Sequence, residues 1–232
     1  MPHPTVILPG YLAGARPYRP LEAVLAQQGY PAATVPLARR SWLPTLGGRS
    51  MVPILRQLHR TVQQVLQRHQ ASQVNLIGHS AGGWIARIYL GHAPYDIHGD
   101  VSGNAAVWGA HPQVATLVTL GTPHASRERW TRRNLDFVER HYPGAFYPNV
   151  RYVCAAGRAV YGRRPRHWLA YNSYKLTGGD GNCWGDGITP VASAHLSGAT
   201  NLTLEGIWHS PRSPGPWYGS PQARQAWLPY LQ

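Results

Sequence analysis

The stretch Val74-Asn75-Leu76-Ile77-Gly78-His79-Ser80-Ala81-Gly82-Gly83 decides how this chain folds. An apolar run breaks at Gly78, a serine stands between two glycines, and Trp84, Ile85, Ile88 and Tyr89 follow at helical spacing. Strand, sharp turn and helix, with Ser80 at the apex, is the order of a nucleophile elbow. The glycines have a mechanical role, because strand and helix backbones must pass close together and a side chain at Gly78 or Gly82 would block them. The turn also sets Ser80 at a helix N-terminus, whose unpaired N–H groups and dipole favour negative charge. G-x-S-x-G arises by accident in roughly one chain in ten of this length at average glycine usage. The apolar run before the turn and the helical spacing after it argue against accident here.

The same alternation of strand and helix extends outward in both directions. Strands are predicted at 5–8, 32–35, 73–77, 114–120, 150–156 and 201–204, and helices at 19–28, 50–70 and 222–231. In the longest helix Met51, Leu55, Leu58, Val62 and Val65 form one apolar stripe, opposite Arg56, Arg60, Gln63, Gln64 and Arg68. This pattern predicts an α/β fold, a mostly parallel sheet of about six strands flanked by helices. At 232 residues the chain holds one well-buried core, so a single domain over 1–232 is expected.

Two long segments interrupt the rhythm. Residues 123–149 mix Trp130, Phe137, Tyr142, Phe146 and Tyr147 with Arg127, Arg129, Arg132, Arg133 and Arg140. Residues 157–190 are rich in Gly and Arg. Both follow predicted strands, and loops beyond strand C-termini line the site in open α/β sheets. The first is expected to be a cap or lid, the second the loop that carries an acid.

Composition narrows the class. Charged residues are 13% of the chain, against a usual ~25%, yet 43% are apolar, which excludes a disordered chain. The formal charge of +13, nearly all from arginine since Lys175 is the only lysine, points to an anionic partner, either a membrane surface or nucleic acid. Two cysteines are too few for a disulfide framework. Cys154 falls in an apolar run and reads as a buried thiol, while Cys183 lies in a Gly-rich loop. A strand starting at Thr5 leads us to expect no signal peptide, and no apolar run approaches the ~20 residues that span a bilayer. The expected address is the cytoplasm, with peripheral membrane contact as an addition.

A serine nucleophile needs a base, and the base needs an orienting acid. In this fold class they follow the serine in the order acid, then His. Asp186, between glycines in Gly185-Asp186-Gly187, is the favoured acid, with Asp180 in a Gly-Asp-Gly turn as its rival. His209 follows the last predicted strand and is the favoured base; His195 precedes that strand. The His79 side chain should diverge from Ser80, and His124 is expected to line the site without acting as base. For the oxyanion, one donor is the Ala81 N–H and the second the Tyr11 N–H after Leu8-Pro9-Gly10, with Leu12 as fallback.

With these residues in place the chain resembles the lipase-like branch of the α/β-hydrolases. The likeness is strongest to the small lipase and GPI inositol-deacylase-like proteins found in photosynthetic organisms. The stretches that carry it are LPGY at 8–11, GHSAGGW at 78–84, LGTPH at 120–124, GDGITPVASA at 185–194 and WHSP at 208–211. The resemblance implies a Ser80–Asp186–His209 triad that hydrolyses carboxylic esters, acyl lipids among them, with no metal or organic cofactor. Two alternatives stay open: an acyltransferase on the same residues, or a non-catalytic module. The latter would hold anionic membrane or single-stranded nucleic acid through the basic clusters at 127–140 and 158–166, where Trp130, Tyr161 and Trp168 are interleaved.

Overall fold

The computed structural model describes residues 2–98 and 105–232. Among these, the strands are β1 (Thr5–Leu8), β2 (Ala32–Thr34), β3 (Val74–His79), β4 (Val114–Leu120), β5 (Arg151–Arg158), β6 (Val160–Tyr161), β7 (Trp184–Gly185) and β8 (Thr200–Glu205). Six of them form one parallel sheet in the order β2-β1-β3-β4-β5-β8, and β6 and β7 pair as a small antiparallel ribbon. The helices are α1 (Arg19–Gln27), α2 (Val52–His69), α3 (Ala81–Leu90), α4 (Arg129–His141), α5 (Trp168–Gly178), α6 (Val191–Ala194) and α7 (Pro221–Trp227).

Position in the sheet explains the sequence of each strand. Every residue of β3 and β4 is buried, because helices cover both faces at the centre of a parallel sheet, so both strands are mostly apolar, with Asn75, His79, Thr116 and Thr119 as their buried polar members. At the edge, β8 alternates half-buried with exposed residues and carries threonines and a glutamate. On one face Leu55, Leu58 and Val62 of α2 pack with Trp84, Ile85 and Ile88 of α3 against Val6, Leu76 and Leu117. On the other face Leu21 and Leu25 of α1 and Ala223 and Trp227 of α7 pack against Ile7, Ile77, Val118 and Val153. Each Leu, Ile or Val so buried contributes about 1.5–3 kcal/mol. All ten residues of α3 are buried, which makes the helix after the elbow the central pillar of the first face.

The expectation of a cap over 123–149 does not match this arrangement. The segment contains α4, the crossover helix between β4 and β5, and its Leu135, Phe137 and Val138, with Tyr142 and Tyr147 beyond it, belong to the main core. Trp130 and Phe146 remain exposed. The segment at 157–190 is likewise more than a loop, since it holds the β6–β7 ribbon and α5. Cys154 is buried and Cys183 half-buried; neither is in a disulfide.

Because the six strands run parallel, their C-terminal ends share one edge. There the turn after β1, the elbow after β3, the end of the 157–190 segment and the turn after β8 meet.

Candidate active site

The elbow is held from both sides. Ser80 has φ 52° and ψ −125°, a conformation costing an L-residue about 1–3 kcal/mol unless its surroundings enforce it. They do: Ser80 N–H donates to Leu120 O at 2.8 Å, and Ser80 O accepts from Thr122 Oγ1 at 2.8 Å and Gly83 N–H at 3.1 Å. A Cβ on Gly78 would lie 2.5 Å from Gly83 Cα, and one on Gly82 would lie 2.5 Å from Leu8 O. Both contacts are with backbone, so neither glycine can carry a side chain unless strand and helix separate.

Asp186 and His209 are brought together at this edge. His209 Nδ1 is 2.8 Å from Asp186 Oδ2, and His209 N–H donates to Asp186 O at 3.0 Å. The carboxylate is fully used: Oδ1 accepts from Ile188 N–H (3.0 Å) and Thr189 N–H (2.7 Å), and Oδ2 also accepts from Tyr218 Oη (2.7 Å). Burial raises the Asp186 pKa, but His209 and the hydrogen bonds from His209, Thr189 and Tyr218 outweigh it, leaving it below the ordinary value. Tyr218 Oη accepts from Gly157 N–H at 2.7 Å, so its own proton is committed to Asp186. Asp180 is elsewhere, its Oδ1 accepting from Asn182 N–H at 2.8 Å in an exposed turn.

His79, expected to diverge from Ser80, lines the same cavity as Ser80 and His209, and its ring nitrogens are taken up by other partners. Gly10 N–H donates to Tyr18 Oη at 3.1 Å, which leaves the Tyr18 proton for His79 Nδ1 at 2.7 Å. His79 therefore carries its proton on Nε2 and donates it to His209 O at 2.7 Å. Burial first, and the neighbouring His209 second, push its pKa down to about 3, so it stays neutral. A single chain of hydrogen bonds thus joins the turn after β1 to the backbone of His209.

The remaining expectations separate cleanly. Ala81 N–H is at the first position of α3 and has no intrahelical acceptor. Tyr11 and Leu12 are the central residues of a turn closed by Ala13 N–H to Gly10 O at 3.0 Å, with Leu12 at φ 57°. Neither N–H has a partner among the described residues. His124 does not line the site: it is buried behind the sheet edge between Arg87, Thr119 and Cys154, its pKa pushed well below the ordinary value by burial and Arg87. His195 pairs with Thr203 Oγ1 at 3.2 Å. Among the described residues no cluster of three or more His, Cys, Asp or Glu could hold a metal ion, and no helix is long and apolar enough to cross a membrane.

Two cavities flank His209. The first, about 210 Å³, is walled by Gly10, Tyr11, Leu12, Tyr18, Ser80 and His209, with Arg39 and Arg212 among its further lining. The second, about 340 Å³, is largely apolar, lined by Val160, Trp168, Leu169, Ile188, Trp208 and His209. Ser80 Oγ and His209 share the first cavity without a hydrogen bond between them. Tyr18 and Tyr218 carry no signal in the sequence, since a lone tyrosine has no spacing pattern, and Thr189, though inside the 185–194 stretch, meets Asp186 through its backbone N–H.

Residues 45–140 match the PGAP1-like alpha/beta domain family, a stretch that contains Ser80 and ends before Asp186 and His209. The crystal structure of the lin2722 gene product from Listeria innocua superposes with a TM-score of 0.53 at 13% identity, over 100% of this chain and 96% of that one. The sheet order, the elbow and this end-to-end superposition agree. The fold is that of the α/β-hydrolases. An esterase from Exiguobacterium antarcticum is 21% identical over 55% of this chain and 41% of its own, with a TM-score of 0.32. A pyrethroid hydrolase from Sphingobium faniae is 21% identical over 53% and 41%, with a TM-score of 0.33. No curated protein matches the sequence significantly.

Proposed function

We propose that this protein is a serine hydrolase of carboxylic esters, with Ser80 as nucleophile, His209 as general base and Asp186 as the acid that orients it. The observation that carries the reading is the buried, fully hydrogen-bonded Asp186 held 2.8 Å from His209 Nδ1, while His209 and Ser80 line one cavity. In that arrangement Asp186 keeps the His209 proton on Nδ1, so Nε2 is free to take the Ser80 proton as Oγ attacks the ester carbonyl. The bond between His209 and Ser80 closes on substrate binding, as catalytic hydrogen bonds commonly do. Ala81 and Tyr11 N–H groups receive the oxyanion, and the imidazolium returns its proton to the leaving alcohol. Water activated by His209 then cleaves the acyl-enzyme.

The substrate we infer has an apolar acyl group, because the larger cavity beside His209 is walled by Trp168, Leu169, Ile188 and Trp208. Within the superfamily, the five motif stretches and the PGAP1-like match at 45–140 support the small lipase and GPI inositol-deacylase-like branch. The test is covalent labelling by a fluorophosphonate probe. Wild type should label, whereas Ser80→Ala should not, and ester turnover by Ser80→Ala should fall by on the order of 10⁶. Equal labelling of wild type and Ser80→Ala would end this reading.

A further inference from the structure

Exposed apolar side chains are concentrated in one part of the described surface. Of the eleven large ones, six lie within 161–188: Tyr161, Trp168, Leu169, Leu176, Trp184 and Ile188, between 37% and 66% exposed. Helix α5 is inverted in character. Its inner positions Ala170 and Tyr174 are buried, and Tyr174 Oη accepts from Gly187 N–H at 2.8 Å, bracing the turn that holds Asp186. Its outer stripe, at steps of four from Trp168 through Asn172 to Leu176, is apolar at both ends. Nothing in the core requires those side chains.

The stretch leading into α5 is basic. Residues 163–169, Arg-Arg-Pro-Arg-His-Trp-Leu, are all exposed, and 158–179 contains no acidic residue. Among the described residues no carboxylate pairs with Arg163, Arg164 or Arg166; Arg164 instead bonds Asn172 and lies over the Tyr171 ring. Tryptophan and tyrosine beside aliphatic side chains, bordered by arginine, is the composition that settles at the boundary between lipid headgroups and acyl chains. The patch is continuous with the apolar cavity, since Trp168, Leu169 and Ile188 belong to both.

We infer that the face built from the β6–β7 ribbon, residues 163–169 and the outer stripe of α5 docks on an anionic lipid surface. Trp168, Leu169 and Ile188 enter the headgroup region, and Arg163 and Arg164 meet the negative charge. Docking of this face sets the mouth of the apolar cavity against the bilayer, so that an acyl chain reaches His209 without crossing water. That last step rests on the proposed hydrolase function; the docking itself does not.

The experiment is sedimentation of the full chain with vesicles of phosphatidylcholine alone and of phosphatidylcholine mixed with phosphatidylserine. Wild type and Ser80→Ala should sediment alike and favour the anionic vesicles, with the preference fading at high salt. Arg163→Glu with Arg164→Glu should weaken partitioning into anionic vesicles at least about thirtyfold, the fold-change equivalent to ~1 kcal/mol for each of two basic residues. Leu169→Ser, which keeps the charge, should weaken binding to both vesicle types several-fold. The matching reversal on α4, Arg132→Glu with Arg133→Glu, should leave binding unchanged. Equal loss in the α4 variant, or indifference of wild type to vesicle charge, overturns the assignment. So does tighter binding to a single-stranded oligonucleotide that is lost with Arg163 and Arg164, which would give the face to nucleic acid. A protein that docks as described yet fails to label with fluorophosphonate would overturn the hydrolase reading and leave this one standing.

Discussion

Asp186 illustrates how much one buried carboxylate depends on the donors aimed at it. A bare carboxylate that is 1% exposed would take up a proton; three hydrogen bonds, from Ile188, Thr189 and Tyr218, and the adjacent imidazole keep it charged. Asp186→Asn removes that charge and disturbs the His209 tautomer, so ester turnover should fall by roughly 10⁴, whereas Asp180→Asn, in its exposed turn, should change it little. Rates of the two variants on one soluble ester decide between the acids, and the reverse order would move the role to Asp180. Tyr218→Phe tests the less visible partner. It takes one donor from Asp186 and leaves buried Gly157 N–H without an acceptor, which should cost about 1–3 kcal/mol in urea unfolding. Chain order, with flanking glycines at Ser80 and Asp186, makes Ser80, Asp186 and His209 candidates in the sequence, and the structure sets Asp186 against His209 and places His209 on one cavity with Ser80. Tyr218 had no such signature. Its role depends on the path of the 210–217 loop, which no local pattern specifies.

At the scale of elements, what was legible is what burial enforces. β1 and β4 lie at the predicted residues and the other sheet strands within two, since two-sided burial leaves mostly apolar, β-branched runs in the central strands. In 123–149 the many arginines mask the amphipathic period of α4, where Leu135 and Val138 share the buried face, so the segment looks like a cap in sequence and packs as a crossover helix. The link between elements was hidden too: Tyr18, before α1, joins the β1 turn through Gly10 to β3 through His79, and from there to the turn after β8 through His209 O. Tyr18→Phe deletes one oxygen from this chain and leaves two buried groups unpaired. If the link positions the Tyr11 turn and His209 relative to Ser80, kcat should drop about tenfold or more with KM changed much less. A loss of stability with kcat intact would reduce Tyr18 to a packing residue. The elbow makes a harder test. Gly82→Ala places a methyl 2.5 Å from Leu8 O, pushing α3 off β1, and should prevent folding or lower stability by several kcal/mol.

For the whole molecule, the buried neutral histidines set a pH dependence distinct from that of its charge. His79 has its folded pKa lowered to about 3 against an ordinary 6.5, so the unfolded chain binds a proton there that the folded chain refuses. Stability from this group is full above pH 6.5 and is lost as pH falls toward 3. Between pH 7 and pH 5 the loss from His79 alone is about 2 kcal/mol. His124 shifts in the same direction by burial and Arg87 and adds to it. Asp186 acts in another window: its folded pKa is lowered, so its contribution stays intact above the unfolded value and is lost only at still lower pH. The formal charge of +13 also rises on acidification and destabilises the compact state by self-repulsion, but salt screens that effect, whereas it barely reaches a buried imidazole. Urea unfolding at pH 7 and pH 5, each in low and high salt, separates the two. The loss of at least about 2 kcal/mol should persist in high salt, and His79→Gln, though less stable at pH 7, should show a shallower pH dependence. Equal stability at pH 7 and pH 5 in high salt would mean that His79 titrates in the folded protein, and that the link from Tyr18 to His209 does not hold it neutral.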